Sequence, residues 1–190
     1  MEFLKKIFLK NEWVREFVYI FKPFFDDCIN PSSTLFHIVM LIPFLRIWIV
    51  RIKIGKVGKN LKFKHPIYIQ NGRNITVGDN VTFGQGLTIV AGKKSTVKIG
   101  DNVACAPWVF ICSSSHGAKK GRLIKYQELI EKNTVIGNDV WLGINSVVLH
   151  NTILADGTVL GANSVAGPNF NNGSDEILLG VPAKIKRRRK

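Results

Sequence analysis

The sequence predicts an all-β solenoid, a chain wound into stacked coils of short parallel strands. Three observations predict it. From Ile136 an aliphatic residue returns at every sixth position: Leu142, Val148, Leu154, Leu160 and Ala166. The residue after each is Gly137, Gly143, Leu149, Ala155, Gly161 or Gly167, nearly all of them Gly or Ala. Two places before each stands Thr134, Val140, Ser146, Thr152, Thr158 or Ser164, all small or β-branched. A period of six fits neither the helical repeat nor a heptad. It fits one short strand plus one corner, repeated. The aliphatic column then points into a shared core, and the β-branched column suits the strands. The small residue after each beat is expected to let the backbone bend, since Gly adopts unusual φ/ψ without steric penalty. Each coil buries its faces against its neighbours.

The same beat runs earlier. Val77, Phe83 and Ile89 carry it, followed by Ile99, Cys105 and Ile111. The intervals between these runs mark insertions. Four extra residues fall around Ala91–Lys94, nineteen between Ile111 and Ile136, and seven around Asn169–Asp175 if the beat resumes at Leu179. Insertions in a solenoid become surface loops and often form its binding face. The largest interruption is therefore the first place to look for chemistry.

Three segments follow: 1–52, 53–183 with a loop at 112–134, and 184–190. The first is of different composition. Phe3, Leu4, Ile7, Phe8, Val14, Phe17, Val18 and Phe21 recur at helical spacing, with Lys5, Lys6, Lys10, Arg15 and Glu16 opposite. That pattern predicts an amphipathic α-helix. Residues 35–50 are mostly apolar but interrupted by Pro43 and Arg46, and fall short of a bilayer span. The segment reads either as helices packing on the solenoid or between subunits, or as a helix lying on a membrane surface. No secretory signal is recognisable. The last segment is basic, from Lys184 through Lys186, Arg187, Arg188, Arg189 and Lys190.

Composition narrows the partners. Twenty-seven basic and 13 acidic residues give a formal charge of +14, which favours anionic partners such as phosphates or acidic lipid. Cys28, Cys105 and Cys112 form no even framework, and Cys105 falls on a core beat. A reduced, buried thiol and a cytoplasmic setting are expected. No phosphate-binding P-loop, dinucleotide fingerprint, metal-ligand cluster or nucleic-acid module is present.

Four histidines exist, and His116 alone opens a large polar loop directly after a strand position, in Cys112-Ser-Ser-Ser-His116-Gly117. Histidine titrates near neutrality and can take and return a proton. A polar loop histidine at a break in a scaffold is a candidate for acid–base chemistry.

Several stretches carry a family resemblance: Ile75-Thr-Val-Gly-Asp-Asn-Val81, Val97-Lys-Ile-Gly-Asp-Asn-Val103, Val135-Ile-Gly-Asn-Asp-Val-Trp-Leu-Gly143, Gly161-Ala-Asn-Ser-Val165 and Gly180-Val-Pro-Ala-Lys184. In this order and spacing, 53–186 resembles the hexapeptide-repeat acetyltransferases. Within them it is most similar to the sugar O-acetyltransferases that modify bacterial surface polysaccharides. The resemblance implies a left-handed parallel β-helix, a homotrimer, and acetyl-coenzyme A bound between adjacent β-helices as co-substrate, without a metal. It implies His116 as general base in direct transfer to a sugar hydroxyl. Gln85 and Trp141 would face the acceptor. Ile144, Gly161, Ala162 and Gly167 would line the pantetheine arm, with Lys184 and Arg187 at the nucleotide end. Two departures stand out. The family's histidine is often followed by Asp or Pro, here by Gly117. Its acceptor-side Asn is here best matched by Gln85. Within the resemblance, N-acetylation of a nucleotide-linked amino sugar, acetylation of a xenobiotic, and a chemistry-free β-helix scaffold are the alternatives. The basic end reads as a solvated tail, as a contact for the coenzyme's 3′-phosphate or, with the N-terminal helix, as a peripheral contact with anionic lipid on the inner membrane face.

Overall fold

The computed structural model describes residues 49–190, of which 50–190 form one compact unit. Most of the 1–52 segment lies outside the described residues; its end, 49–53, is helical. From Lys56 the chain winds through three parallel sheets in turn, which form three faces. The first coil supplies β1 (Lys56–Val57), β2 (Lys62–Phe63) and β3 (Tyr68–Gln70). The second supplies β4 (Ile75–Val77), β5 (Thr82–Phe83) and β6 (Thr88–Val90). The third supplies β7 (Val97–Ile99), β8 (Ala104–Cys105) and β9 (Phe110–Cys112). An antiparallel hairpin follows, β10 (Ser114–His116) with β11 (Leu129–Glu131). Winding then resumes with β12 (Thr134–Ile136), β13 (Trp141–Leu142) and β14 (Val147–Val148). The fifth coil is β15 (Ile153–Leu154), β16 (Val159–Leu160) and β17 (Val165–Ala166). Last come β18 (Glu176–Leu179) and β19 (Lys184–Arg188), which returns antiparallel. The first face is β1-β4-β7-β12-β15, the second β2-β5-β8-β13-β16-β18-β19 and the third β3-β6-β9-β14-β17.

The beat residues are the core. Val77, Phe83, Ile89, Ile99, Cys105, Ile111, Ile136, Leu142, Val148, Leu154, Leu160 and Ala166 are all buried. The column two places earlier is buried too, from Ile75, Val81 and Leu87 to Thr152, Thr158 and Ser164. Two of its hydroxyls bond to carbonyls at the corners: Thr134 Oγ1 donates to that of Cys112 at 2.7 Å and Thr152 Oγ1 to that of Gly167 at 2.7 Å. Buried hydroxyls need such partners.

Two expectations are corrected by the register. There is no seven-residue insertion after Ala166. Leu178 pairs with the same strand position as Leu160, eighteen residues and one coil earlier. Leu178 is fully buried and Leu179 exposed, so the beat runs Ala166, Asn172, Leu178. Asn172 holds the interior position with a polar side chain, donating to Thr158 Oγ1 at 2.8 Å and to its neighbour Gly173's carbonyl at 2.7 Å. An aliphatic search misses it because the site is satisfied by hydrogen bonds rather than by apolar area.

The second correction concerns glycine. At most coils, Gly167 excepted, the residue after the beat is small because the next coil's backbone stands against it, not because the chain takes an unusual φ. A Cβ on Gly137 would lie 2.8 Å from the Asp156 amide nitrogen, and one on Gly84 2.4 Å from the Ala106 carbonyl carbon. Left-handed φ falls two residues further on, at Asn60, Asn80, Asn102, Asp139, Asn145, Asn151, Asn163, Asn169 and Asp175, or at Gly86 and Gly157. Asn, Asp and Gly are the residues that tolerate this conformation. The Gly-Asp-Asn triplets thus have one physical reading. Gly admits the neighbouring coil. The Asp101 carboxylate accepts the Asp79 N–H at 2.7 Å, as Asp79 accepts that of Lys59 at 2.7 Å. The Asn turns the corner and chains to the next, Asn60 to Asn80 at 3.0 Å and Asn80 to Asn102 at 3.1 Å.

Candidate active site

The insertions gather at one corner. Between the third and first faces, the corner after β3 carries a short 3₁₀ turn at Gly72–Asn74, that after β6 the Ala91–Lys94 insertion, and that after β9 the hairpin. They are tied together. Asn74 Nδ2 donates to the carbonyls of Gly92 at 2.7 Å and Lys93 at 3.0 Å. Buried Ser113 Oγ accepts the Gly92 N–H at 2.9 Å, and Ser95 Oγ donates to the Ser113 carbonyl at 2.8 Å. The Glu131 carboxylate, at the hairpin's return, accepts the N–H groups of Lys93 at 2.8 Å and Lys94 at 2.7 Å. Charge-assisted bonds of this kind are the strong ones.

His116 ends β10, opposite Leu129, with its side chain exposed. The nineteen-residue interruption is thus a built hairpin rather than a bare loop. Its tip is organised by Gln127, whose side chain accepts the Lys119 N–H at 2.8 Å and donates to the carbonyls of Lys119 and Arg122, each at 3.0 Å. Gly117 has a local reason. A Cβ there would sit 3.0 Å from the Glu128 carbonyl and 3.2 Å from the Gln127 Cβ, where the hairpin closes.

The corner between the second and third faces holds a different set. The αL residue of each coil donates its N–H to the carbonyl of the coil before: Trp108 to Gln85 at 2.8 Å, Asn145 to Pro107 at 3.0 Å and Asn163 to Ile144 at 2.9 Å. Gln85, Pro107, Ile144 and Ala162 therefore form one column parallel to the solenoid axis. Gly161 lies beside it, and Gly143 is tight against Ala162. The column runs on to Gly180 and reaches the basic end at Lys184 in β19. Trp141 lies close by, on the outer surface of the second face, in register with Ala104 and Val159. Arg187, paired with Ile177, continues the same row. At the far end Arg189 is held by Asp139 at 2.8 Å and by the Gly157 carbonyl at 3.0 Å.

The structure thus lines up Gln85, Ile144, Ala162 and, past Gly180, Lys184 along one corner from the second coil to the basic end, with Gly161 beside them and Trp141 and Arg187 on the adjoining face. It does not bring His116 or Gly167 to them within one chain, for both belong to the other corner. A Cβ on Gly167 would meet nothing, so packing does not demand glycine there. Cys112 is buried, and burial holds its thiol above the ordinary range. Cys105 is buried as its beat position required, and burial pushes its thiol up to about 12. Neither is poised as a nucleophile. No group of His, Cys, Asp and Glu that could hold a metal occurs among the described residues.

One residue escaped the sequence reading: Trp108, at φ 61° where other corners carry Asn, Asp or Gly. The six-residue column predicts a corner residue at 108, and a tryptophan in that column was the available signal.

Coil geometry and repeats define a parallel β-solenoid, and the chain is similar to the hexapeptide-repeat acetyltransferases. The profile described as bacterial transferase hexapeptide (six repeats) matches residues 133–168. Over 92 residues the chain is 38% identical to a galactoside O-acetyltransferase of Escherichia coli, covering 48% of this chain and 44% of that protein. Over 99 residues it is 35% identical to a serine acetyltransferase of Staphylococcus aureus, covering 50% and 38%. These matches span about half the length of those relatives or less. A hexapeptide-repeat acetyltransferase structure from Vibrio cholerae superposes with a TM-score of 0.72 at 26% identity, covering 85% of each chain. A galactoside acetyltransferase in complex with coenzyme A superposes with a TM-score of 0.70 at 27% identity, covering 94% of this chain and 84% of that one.

Proposed function

We propose that this protein transfers an acetyl group from acetyl-coenzyme A to a sugar hydroxyl, with 53–183 as the catalytic domain and His116 as the general base. The observation that carries this reading is the pairing of two features. One is a neutral column ending in the cationic Lys184–Arg187 end. The other is an exposed imidazole on a rigid hairpin at the neighbouring corner. The column suits an extended acyl carrier with phosphates at the basic end and its thioester towards Gln85. Because the imidazole and the column occupy different corners, the site is completed between copies, in keeping with a homotrimer. The exposed Leu123, Ile124 and Tyr126 at the hairpin tip supply apolar surface for such packing.

The chemistry is direct. A hydroxyl is a weak nucleophile, whereas a thioester is already activated. His116 accepts the hydroxyl proton as the oxygen attacks the thioester carbonyl carbon. The carbon–oxygen bond forms, the carbon–sulfur bond breaks, and His116 returns the proton to the departing thiolate. Products are the acetyl ester and coenzyme A.

The test is an acceptor screen with acetyl-coenzyme A, reading thiol release and product mass. His116→Ala is expected to lower kcat by about 10²–10⁴-fold with coenzyme binding intact. Retention of near wild-type turnover would exclude the base assignment, and acetylation of amines in preference to sugar hydroxyls would move the reaction to N-acetylation.

A surface-polysaccharide acceptor and peripheral contact with anionic lipid through 1–52 and the basic end complete the proposal. No helix among the described residues is long and apolar enough to cross a membrane. Flotation with anionic liposomes checks the membrane contact, and lack of binding by the full chain would remove it.

A further inference from the structure

We propose that Trp108 is the acceptor platform, stacking its indole on a sugar ring at the thioester end of the column; this rests on the transferase reading above. Eleven non-glycine residues among those described have left-handed φ, and ten are Asn or Asp. Trp108 is the exception, and a bulky residue there is a genuine outlier. Such strain persists where the surroundings enforce it, and it points to function. Here the surroundings form a seat. The indole lies flat on Gly86 of the preceding coil, whose missing Cβ would stand 2.1 Å from Trp108 Cε3. The Trp108 backbone N–H is fixed on the Gln85 carbonyl at 2.8 Å. Yet the residue is 55% exposed, so the seat does not bury the ring but presents it.

Three features select the occupant. From the second coil to the fifth the residues of this corner are neutral, namely Gln85, Gly86, Pro107, Ile144, Asn145 and Asn163, with Lys64 and His65 below them on the first coil, in a chain of formal charge +14. A phosphate or nucleotide would find cations no nearer along this corner than Lys64, two coils below, and the basic end, about three coils above, roughly 9 and 14 Å along the axis at sheet spacing. The exposed Gln85 amide beside the ring can both donate and accept. A flat apolar face edged by neutral amides matches a pyranose, which has an apolar C–H face and a rim of hydroxyls. The platform also stands beside the column of Ile144 and Ala162, one residue on from Pro107, at the end away from Lys184. Trp108 would set acceptor affinity and leave the proton transfer to His116.

The experiment uses the full chain. Maltose, maltotriose and methyl β-galactoside are titrated into protein labelled with ¹⁵N in its indoles, the Trp108 signal being assigned by its loss in Trp108→Asn. Saturable movement of that signal is expected with at least one sugar, and lost binding in Trp108→Asn. In turnover, Trp108→Asn is expected to raise the acceptor KM at least tenfold, with kcat and the KM for acetyl-coenzyme A within twofold. Trp108→Phe should keep the acceptor KM within threefold of wild type. An unmoved Trp108 signal with all three sugars, or an unchanged acceptor KM in Trp108→Asn, overturns the proposal. Sugar binding at Trp108 without any acetyl transfer would instead leave the platform standing and remove the transferase reading.

Discussion

Two corners of the same solenoid behave differently. Between the second and third faces, every coil from the second to the fifth turns in the same few residues, and Gln85, Pro107, Ile144 and Ala162 stack as a plain column. Between the third and first faces, three successive coils carry extra residues, and those insertions clasp one another through Asn74, Ser113 and Glu131. The regular corner is a track, shaped by backbone spacing and small side chains. The irregular corner is a device, held by side-chain hydrogen bonds specific to it. In the function proposed, regularity would fix where an extended ligand lies, and irregularity where the reactive side chain is held.

The contrast can be broken from either side. The largest effect on stability is expected from the regular coils. Leu160→Ala removes a fully buried beat residue, at about 2–5 kcal/mol. The thermal midpoint should fall by about 5–15 °C, while the acceptor and coenzyme KM of the folded fraction stay unchanged. Parallel loss of affinity would show that track and core are not separable.

A smaller and more local effect is expected at the irregular corner. Glu131→Gln replaces a carboxylate that accepts two N–H groups with an amide that can accept at only one oxygen. Losing one charge-assisted bond costs about 1.5 kcal/mol. Amide exchange at Lys93 and Lys94 should rise by about tenfold, with kcat lowered and the thermal midpoint down by about 3–5 °C. Unchanged exchange would mean that the clasp is held by the Ser95–Ser113 pair alone.

The smallest effect belongs to the core thiol. Below pH 9 Cys105 is protonated folded and unfolded alike. Between pH 9 and about 12 the unfolded thiol ionises while the folded one keeps its proton. The folded state then binds more protons, so stability falls as pH rises through that window. At pH 8 the Cys105 peptide should resist alkylation in the native protein and react in urea. Alkylation at the rate of a free thiol would show that the coil opens there.

Much of the fold was legible because a hexad repeats the same physical demand many times. Leu142 and Leu160 could be placed in the core without coordinates, since one column had to be apolar throughout. Asn172 could not, because its interior place is satisfied by bonds to Thr158 and Gly173 that no one-dimensional pattern records. The hairpin was visible as a nineteen-residue interruption, and its polar opening drew attention to His116. The antiparallel pairing and the Gln127 knot were not, because they depend on which residues meet across the loop.

The amino-acid sequence by itself determined the coil, its core and the residues that turn its corners, for these are set by local period and side-chain size. Only the tertiary structure decided the neighbours. It separated His116 from the column of Gln85, Ile144 and Ala162, closed the insertions on one another, and seated Trp108 on Gly86. The physical reason is the winding itself. Residues about eighteen apart stand one above another, so proximity follows the register between coils, and a single displaced beat moves every contact above it.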